Sequence, residues 1–288
     1  MEGAISSRPN TRVAVVTGGN KGIGFEVCRQ LASDGEVTVV LTARDETRGT
    51  EAVEKLRALG LTDDDVVFHQ LDITDESSIA SLGDFLKTRF GKLDILYPQD
   101  VDTNEEKTVR EPIDAAKKAV ETNYYGTKHV TQALLPLLLQ SSSSSQGKIV
   151  CVSSDYGLLK LIGDEEVRRD LDDIDNLTEE RVDEVLHKFL SDFEAGALEG
   201  RGWPAGFSAS KVTLVATNAF ARIMARRHPT LALRVNCADP GYVKTDMTMG
   251  SGVLTPEEGA CSVVGVALLP DGGPTGKYFT KGREASFV

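Results

Sequence analysis

The sequence predicts an α/β fold, a doubly wound parallel sheet forming one domain over residues 1–288. Two observations predict it. Short β-branched apolar runs alternate with segments of helical period along most of the chain. The first of these runs feeds TGGNKGIG (17–24), a glycine-rich turn that opens a helix.

Taken in order, RVAVVTGG (12–19) reads as a buried strand and FEVCRQLASDG (25–35) as the helix behind it. TVVLTARD (38–45) is the second strand and EAVEKLRALG (51–60) the second helix. VVFHQLDIT (66–74) is the third strand, ASLGDFLKTRFG (80–91) a helix, and LDIL (93–96) the fourth strand. A long helix covers 113–139, five serines (141–145) form a loop, and KIVCVSS (148–154) is the fifth strand. The helix beginning SASK, a strand at LRVNCADPG (233–241) and a last short strand at GKYFT (276–280) complete the alternation.

Residues 155–205 interrupt it. Val182, Val185, Leu186, Phe189, Leu190 and Phe193 fall on one face of a helix. Asn176 with Glu179 three residues on has the spacing of a capping pair. The segment reads as a helical insertion packed on the body of the domain. No internal repeat or linker divides the chain.

A formal charge of −12 argues against binding nucleic acid or an anionic membrane through net charge. Cys28, Cys151, Cys237 and Cys261 are far apart and without a histidine cluster, so reduced, mostly buried thiols are expected, with no metal and no disulfide framework. The first residues, MEGAISSRPNTR, lack the apolar core of a secretory signal, and no run is long and apolar enough to span a bilayer. The expected location is the cytosol.

In TGGNKGIG, Gly18, Gly22 and Gly24 permit a tight turn that brings backbone amides up to a pyrophosphate at a helix N-terminus, with Asn20, Lys21 and Ile23 between them. The second strand ends Thr42-Ala43-Arg44, with no acidic residue to receive a ribose 2′-hydroxyl. Lys21 and Arg44 together favour a 2′-phosphate, hence NADP, over the alternative that both are solvated surface charges.

These motifs and their order resemble the short-chain dehydrogenase/reductase family, a Rossmann-type fold, over nearly the whole chain. The resemblance implies roles for individual residues. Asp72 in LDIT is similar to the family's adenine contact, and Asn123 in TNYYG to its structural and proton-relay asparagine. Ser154 in VSS occupies the position that holds the substrate carbonyl. Pro240, Gly241, Val243 and Thr245 in PGYVKT resemble the segment that clasps the nicotinamide end. The insertion, the NLTEER helix, GVLTPEEGA and GGPTG further resemble the plant carbonyl reductase subgroup of neomenthol dehydrogenase and salutaridine reductase.

Two departures stand out. The family's N-N-A-G after the fourth strand is here Tyr97-Pro98-Gln99-Asp100, and the stretch from there to TNYYG is short. The family's Y-x-x-x-K, whose tyrosine is the general acid and whose lysine lowers the tyrosine pKa and binds the nicotinamide ribose, also lacks its tyrosine. In one frame FSASK gives Phe207 and Lys211. In the other, NAFARIMARRHP is held fixed and the positions fall on Ser210 and Leu214, which keeps GFSA aligned without a gap. The second frame is favoured, and neither contains a phenol. Tyr156 is expected to line the pocket, Tyr124 and Tyr125 to pack, and His129, His187 and His228 to be surface or packing residues.

Three readings follow. The chain is an NADPH-dependent reductase of a small terpenoid-like ketone, a degenerate cofactor-binding or regulatory relative, or a reductase directed at the C=C bond of an enone. A monomer is expected, with the insertion covering the surface beside the catalytic helix.

Overall fold

A computed structural model describes residues 11–33, 35–98, 112–140, 146–228 and 233–288. Among these residues, eight strands form one sheet in the order β3-β2-β1-β4-β5-β6-β7-β8. They are β1 (Arg12–Val16), β2 (Val37–Ala43), β3 (Val66–Gln70), β4 (Ile95–Tyr97), β5 (Gly147–Val152), β6 (Leu233–Asp239), β7 (Tyr278–Thr280) and β8 (Arg283–Ala285). Seven run parallel, and β8 returns antiparallel along β7.

The alternation of side chains along each strand feeds two cores. Val13, Val15, Val40 and Leu96 enter one, and Ala14, Val16, Val39 and Ile95 enter the other. Helices α1 (Gly22–Ser33), α2 (Glu46–Ala58) and α9 (Pro256–Ala267) cover the second. Helices α3 (Glu76–Arg89), α5 (Thr127–Leu139) and α8 (Ser208–Arg227) cover the first. The central strands are buried on both faces, which explains their unbroken apolar runs.

The long helix expected over 113–139 is α4 (Ile113–Ala119) and α5 joined by a π-helical stretch, Val120–Gly126, with αR backbone at both junctions. That widened turn contains Asn123. The strands end earlier than the apolar runs suggested. β1 stops at Val16 and β3 at Gln70, because the residues beyond them turn into loops.

The insertion contains α6 (Glu165–Asp172) and α7 (Glu179–Glu194). Val182, Val185, Leu186 and Phe189 of α7 are buried, while Leu190 and Phe193 lie half-buried at its margin. Phe189 stacks edge-on to Trp203 at 5.3 Å, and Trp203 Nε1 donates to Asp192 Oδ2 at 2.9 Å. The expected cap is corrected. Thr178 is the N-cap, its hydroxyl accepting from the Arg181 amide, whereas Asn176 donates to Asp173. A tight turn over Asp173–Leu177 uses up Asn176 before the helix begins.

Candidate active site

The glycine loop, the Ser154 turn and the segment after Asp239 leave the carboxyl ends of β1, β5 and β6, around the point where strand order reverses between β1 and β4, while the serine loop 141–145 lies outside the described residues. The glycine loop is built around backbone contact. Gly18 and Gly22 have φ of 61° and 56°, which side-chain-bearing residues rarely adopt. A Cβ on Gly24 would stand 2.5 Å from the Gly18 carbonyl oxygen. The Gly19 amide donates to Thr42 O and the Thr17 amide to Tyr97 O, so β2 and β4 hold the loop from both sides. The first amides of α1 lack helical partners and face this loop. Thr17 Oγ1 is buried without a hydrogen-bond partner. A cradle with no room for side chains, free helix-terminal amides and an orphaned hydroxyl fit a bound pyrophosphate.

At the end of β2, Arg44 is exposed and its carbonyl accepts from Gln70 Nε2. Arg48 stands one turn into α2, beside the N-cap Asp45 at 4.0 Å. Sequence reading missed it, although a second cation four residues after Arg44 was there to be noticed. Lys21 is not drawn to this end. Its ammonium meets Asp246 Oδ2 at 2.8 Å, on the segment after β6. Asp72 is half-buried, its Oδ1 accepting from the Thr74 amide and hydroxyl while its own amide donates to Ser78 Oγ.

The segment after β6 closes against the glycine loop. Gly241 (φ 80°) donates its amide to Asp239 Oδ1 at 2.7 Å, Pro240 and Val243 are buried, and Val243 pairs with Leu254. Thr245 Cγ2 comes within 3.6 Å of where a Cβ on Gly22 would lie. Asn20 and Ile23 are half-buried between the two walls of the loop. Tyr242, Met247, Met249 and Val253 remain exposed along this segment.

Asn123 is 5% exposed. Its Nδ2 reaches Thr213 Oγ1 at 3.4 Å, its carbonyl accepts from Thr217 Oγ1 at 3.5 Å, and its Oδ1 has no partner. Tyr124 is fully buried and Tyr125 partly so. Burial pushes the Tyr124 phenol far above its usual range and the Tyr125 phenol up to about 12, so neither ionises near neutrality. His129 stacks on Tyr125.

Ser154 caps the single turn Asp155–Gly157, its Oγ accepting from the Tyr156 amide at 3.2 Å. The two frames for the missing tyrosine fall in different surroundings. Phe207 is the N-cap of α8, left-handed at φ 50° and 59% exposed. The Lys211 ammonium turns back to the Ala205 carbonyl at 2.6 Å and lies 5.0 Å from the centre of the Tyr156 ring. Ser210 and Leu214 are half-buried one turn further in. Leu214 Cβ lies 3.1 Å from where a Cβ on Gly157 would be, against the turn that carries Ser154. Thr213, between them, reaches Asn123. Gln99 and Asp100, in place of the expected N-N-A-G, lie outside the described residues. Among the described residues, no group of three or more His, Cys, Asp or Glu side chains could hold a metal ion, and no helix is long and apolar enough to cross a membrane.

The short chain dehydrogenase profile matches residues 12–164, more than half the chain, from β1 through the Ser154 turn to the start of the insertion. The chain belongs to the short-chain dehydrogenase/reductase family. It is 43% identical to (+)-neomenthol dehydrogenase of Capsicum annuum over 314 aligned positions, covering 96% of this chain and 98% of the relative. It is also 43% identical to (-)-isopiperitenone reductase of Mentha piperita, over 94% and 97% of the two chains. Among solved structures, salutaridine reductase of Papaver somniferum superposes with a TM-score of 0.86 at 42% identity, covering 94% of this chain and 99% of that one. The chain is therefore an oxidoreductase-family member related to plant carbonyl reductases. An alignment of 314 positions exceeds the 288 residues available, so the relative carries residues that this short-chain dehydrogenase/reductase lacks.

Proposed function

We propose that the protein binds NADP(H) and a small apolar ketone or enone, and that it lacks the family's Tyr–Lys pair for protonating a carbonyl. The observation that carries this reading is the surroundings of Ser210 and Leu214. They lie on the α8 face that adjoins Gly157 and, through Thr213, Asn123. A hydroxymethyl and an isobutyl group at those positions neither reach nor protonate a carbonyl as a phenol would. In the other frame Phe207 is exposed at the helix N-cap, and the half-buried Lys211 turns its ammonium back to the Ala205 carbonyl.

The bound cofactor would supply hydride. Gly18, Gly22, Ile23 and Gly24 would hold its pyrophosphate on backbone amides, and Arg44 and Arg48 would hold the 2′-phosphate. Pro240, Gly241, Val243 and Thr245 would close over the nicotinamide end. Asp72 would meet the adenine with Oδ2, since Thr74 takes only Oδ1 and the Asp72 amide already donates to Ser78 Oγ. Ser154 would bind the carbonyl oxygen by a hydrogen bond from its hydroxyl. Asn123 would keep its structural place, with Thr213 as partner where the family's lysine is missing.

Relatives named for neomenthol, isopiperitenone and salutaridine support a terpenoid-like or similarly rigid apolar substrate. The exposed Tyr242, Met247, Met249 and Val253 support an apolar rim for it. Reduction of an enone C=C is the second reading, because hydride delivery to an alkene carbon does not need an acid on the carbonyl side at Ser210. We also propose a cytosolic monomer. Its support is the buried α7 face against the first core and three buried free thiols.

Titration calorimetry with NADPH and NADH tests the cofactor, expecting tighter binding of NADPH. Product analysis with a saturated cyclic ketone and its enone then separates the two reductase readings from a protein that binds cofactor and turns nothing over.

A further inference from the structure

Tyr156 puts a phenol on the turn that carries Ser154. It stands two residues after Ser154, and its amide donates to Ser154 Oγ at 3.2 Å. That bond occupies a lone pair of the serine and leaves the hydroxyl proton directed elsewhere. The turn is rigid, because Gly157 is enclosed by Asn218 Nδ2, Ser153 Oγ and Leu214 Cβ, each within about van der Waals contact of a would-be side chain. Yet the Tyr156 side chain is 52% exposed.

Lys211 is drawn to it. The ammonium lies 5.0 Å from the ring centre, and the Ala205 carbonyl anchors it there at 2.6 Å. A lysine so placed holds the ring against α8 through a cation–π contact. One turn thus carries a serine hydroxyl and a phenol, and a lysine of α8 covers the phenol ring, so the phenol comes from the turn after β5 instead of from α8.

We propose that Tyr156 is a proton donor to a carbonyl oxygen bound by Ser154, and that Lys211 is its positioning residue. This rests on the NADPH-dependent reading above. As the carbonyl carbon accepts hydride from the dihydronicotinamide, the C=O π pair forms an O–H bond with the proton of Tyr156 Oη. The ketone is reduced to the alcohol and NADPH is oxidised to NADP⁺. The phenolate takes a proton back from water, which its exposure allows. Residual ketone reduction in this chain therefore passes through Tyr156.

The test uses the full chain and Tyr156→Phe, Lys211→Met, Lys211→Arg and Ser154→Ala variants, with NADPH and cyclohexanone. Tyr156→Phe should lower kcat by about 10²-fold, the lower end of what a positioned general acid contributes, with the NADPH affinity unchanged. Lys211→Met should lower kcat and Lys211→Arg should restore part of it. A second readout needs no turnover. Carbonyl-¹³C cyclohexanone bound with NADP⁺ should show a downfield carbonyl resonance in wild type, part of which is lost in Tyr156→Phe and part in Ser154→Ala. Unchanged kcat and an unchanged resonance in Tyr156→Phe overturn the inference. So does a wild-type chain that binds NADPH and reduces no ketone, which leaves the cofactor reading standing. A chain that does not bind NADPH overturns both.

Discussion

Lys21 Nζ lies 2.8 Å from Asp246 Oδ2, so an ion pair joins the glycine loop after β1 to the segment after β6. The pair spans the two walls that would close on a dinucleotide. The Lys21 hydrogen bond and charge hold the Asp246 carboxyl below the ordinary carboxylate range. A depressed pKa means the pair is intact across neutral pH and is lost only as pH falls through that lowered value. Both side chains are at least half exposed, so the pair contributes at most about 1 kcal/mol. A 2′-phosphate or pyrophosphate would compete with Asp246 for the ammonium. Asp246→Asn should therefore tighten NADPH binding by up to about fivefold, with the gain shrinking in high salt. Calorimetry at two salt concentrations measures it.

Arg44 and Arg48 are expected to carry the preference for the 2′-phosphate. A hydrogen bond to a charged group contributes about 1.5–3 kcal/mol. Replacing Arg44 with Ala should weaken NADPH binding about tenfold or more and leave NADH nearly unchanged, bringing the two affinities together. Arg48→Ala should do the same to a smaller extent, because Asp45 partly neutralises it at 4.0 Å.

Gly24→Ala should abolish measurable cofactor binding. The added methyl would stand 2.5 Å from the Gly18 carbonyl oxygen, and backbone on both sides cannot yield without opening the loop. The structural cost is about 1–3 kcal/mol of stability, as for other overpacked sites. Gly265→Ala is the control. A Cβ there meets nothing within 4 Å on α9, so that variant should keep its affinity and gain slightly in melting temperature.

The sheet and the glycine loop were legible because their signals are local: β-branched runs, glycine spacing and the switch to helical period. The apolar face of α7 was legible for the same reason, and Val182, Val185, Leu186 and Phe189 are buried as expected. What escaped depends on contacts distant in sequence. Lys21 and Asp246 are 225 residues apart, so nothing near Lys21 signals that its charge is engaged. The π-helical stretch around Asn123 arises where the helix packs on Thr213 and Thr217 of α8, a contact across about ninety residues. The Thr178 cap won over Asn176 because the preceding turn had already taken the asparagine. β8 is three residues long and holds only by pairing with β7, so no period in the sequence marks it.

The buried face of α7 also sets a stability prediction. Phe189 is fully buried and packs edge-on to both Phe193 and Trp203. Phe189→Ala should destabilise the chain by about 3–5 kcal/mol in denaturant melts. Sedimentation of the wild type at micromolar concentration should give a monomer. A stable wild-type dimer would show that the insertion does not mask the helix surface. Association appearing only in Phe189→Ala would show that it does.

The last prediction decides between the two frames on α8. Phe207→Tyr places a phenol at a left-handed N-cap that is 59% exposed, and the ring needs no new space there. It should fold as the wild type does and change ketone reduction little. Ser210→Tyr with Leu214→Lys restores the pair one turn further in, on the face that adjoins Gly157 and Asn123. Three residues along a helix move a side chain about 4.5 Å along the axis and about 60° around it, so the two designs cannot serve one carbonyl equally. The double variant should raise kcat for a cyclic ketone by about 10²-fold or more, and the new lysine should tighten NADPH through its ribose hydroxyls. Ser210→Tyr alone should gain less, because its phenol would lack the neighbouring ammonium. Repeating the double variant in a Tyr156→Phe background separates the routes: the restored pair should keep its gain there, whereas the residual wild-type activity should be lost. A larger gain from Phe207→Tyr than from the double variant would make Lys211 the working lysine and assign the site to the outer turn.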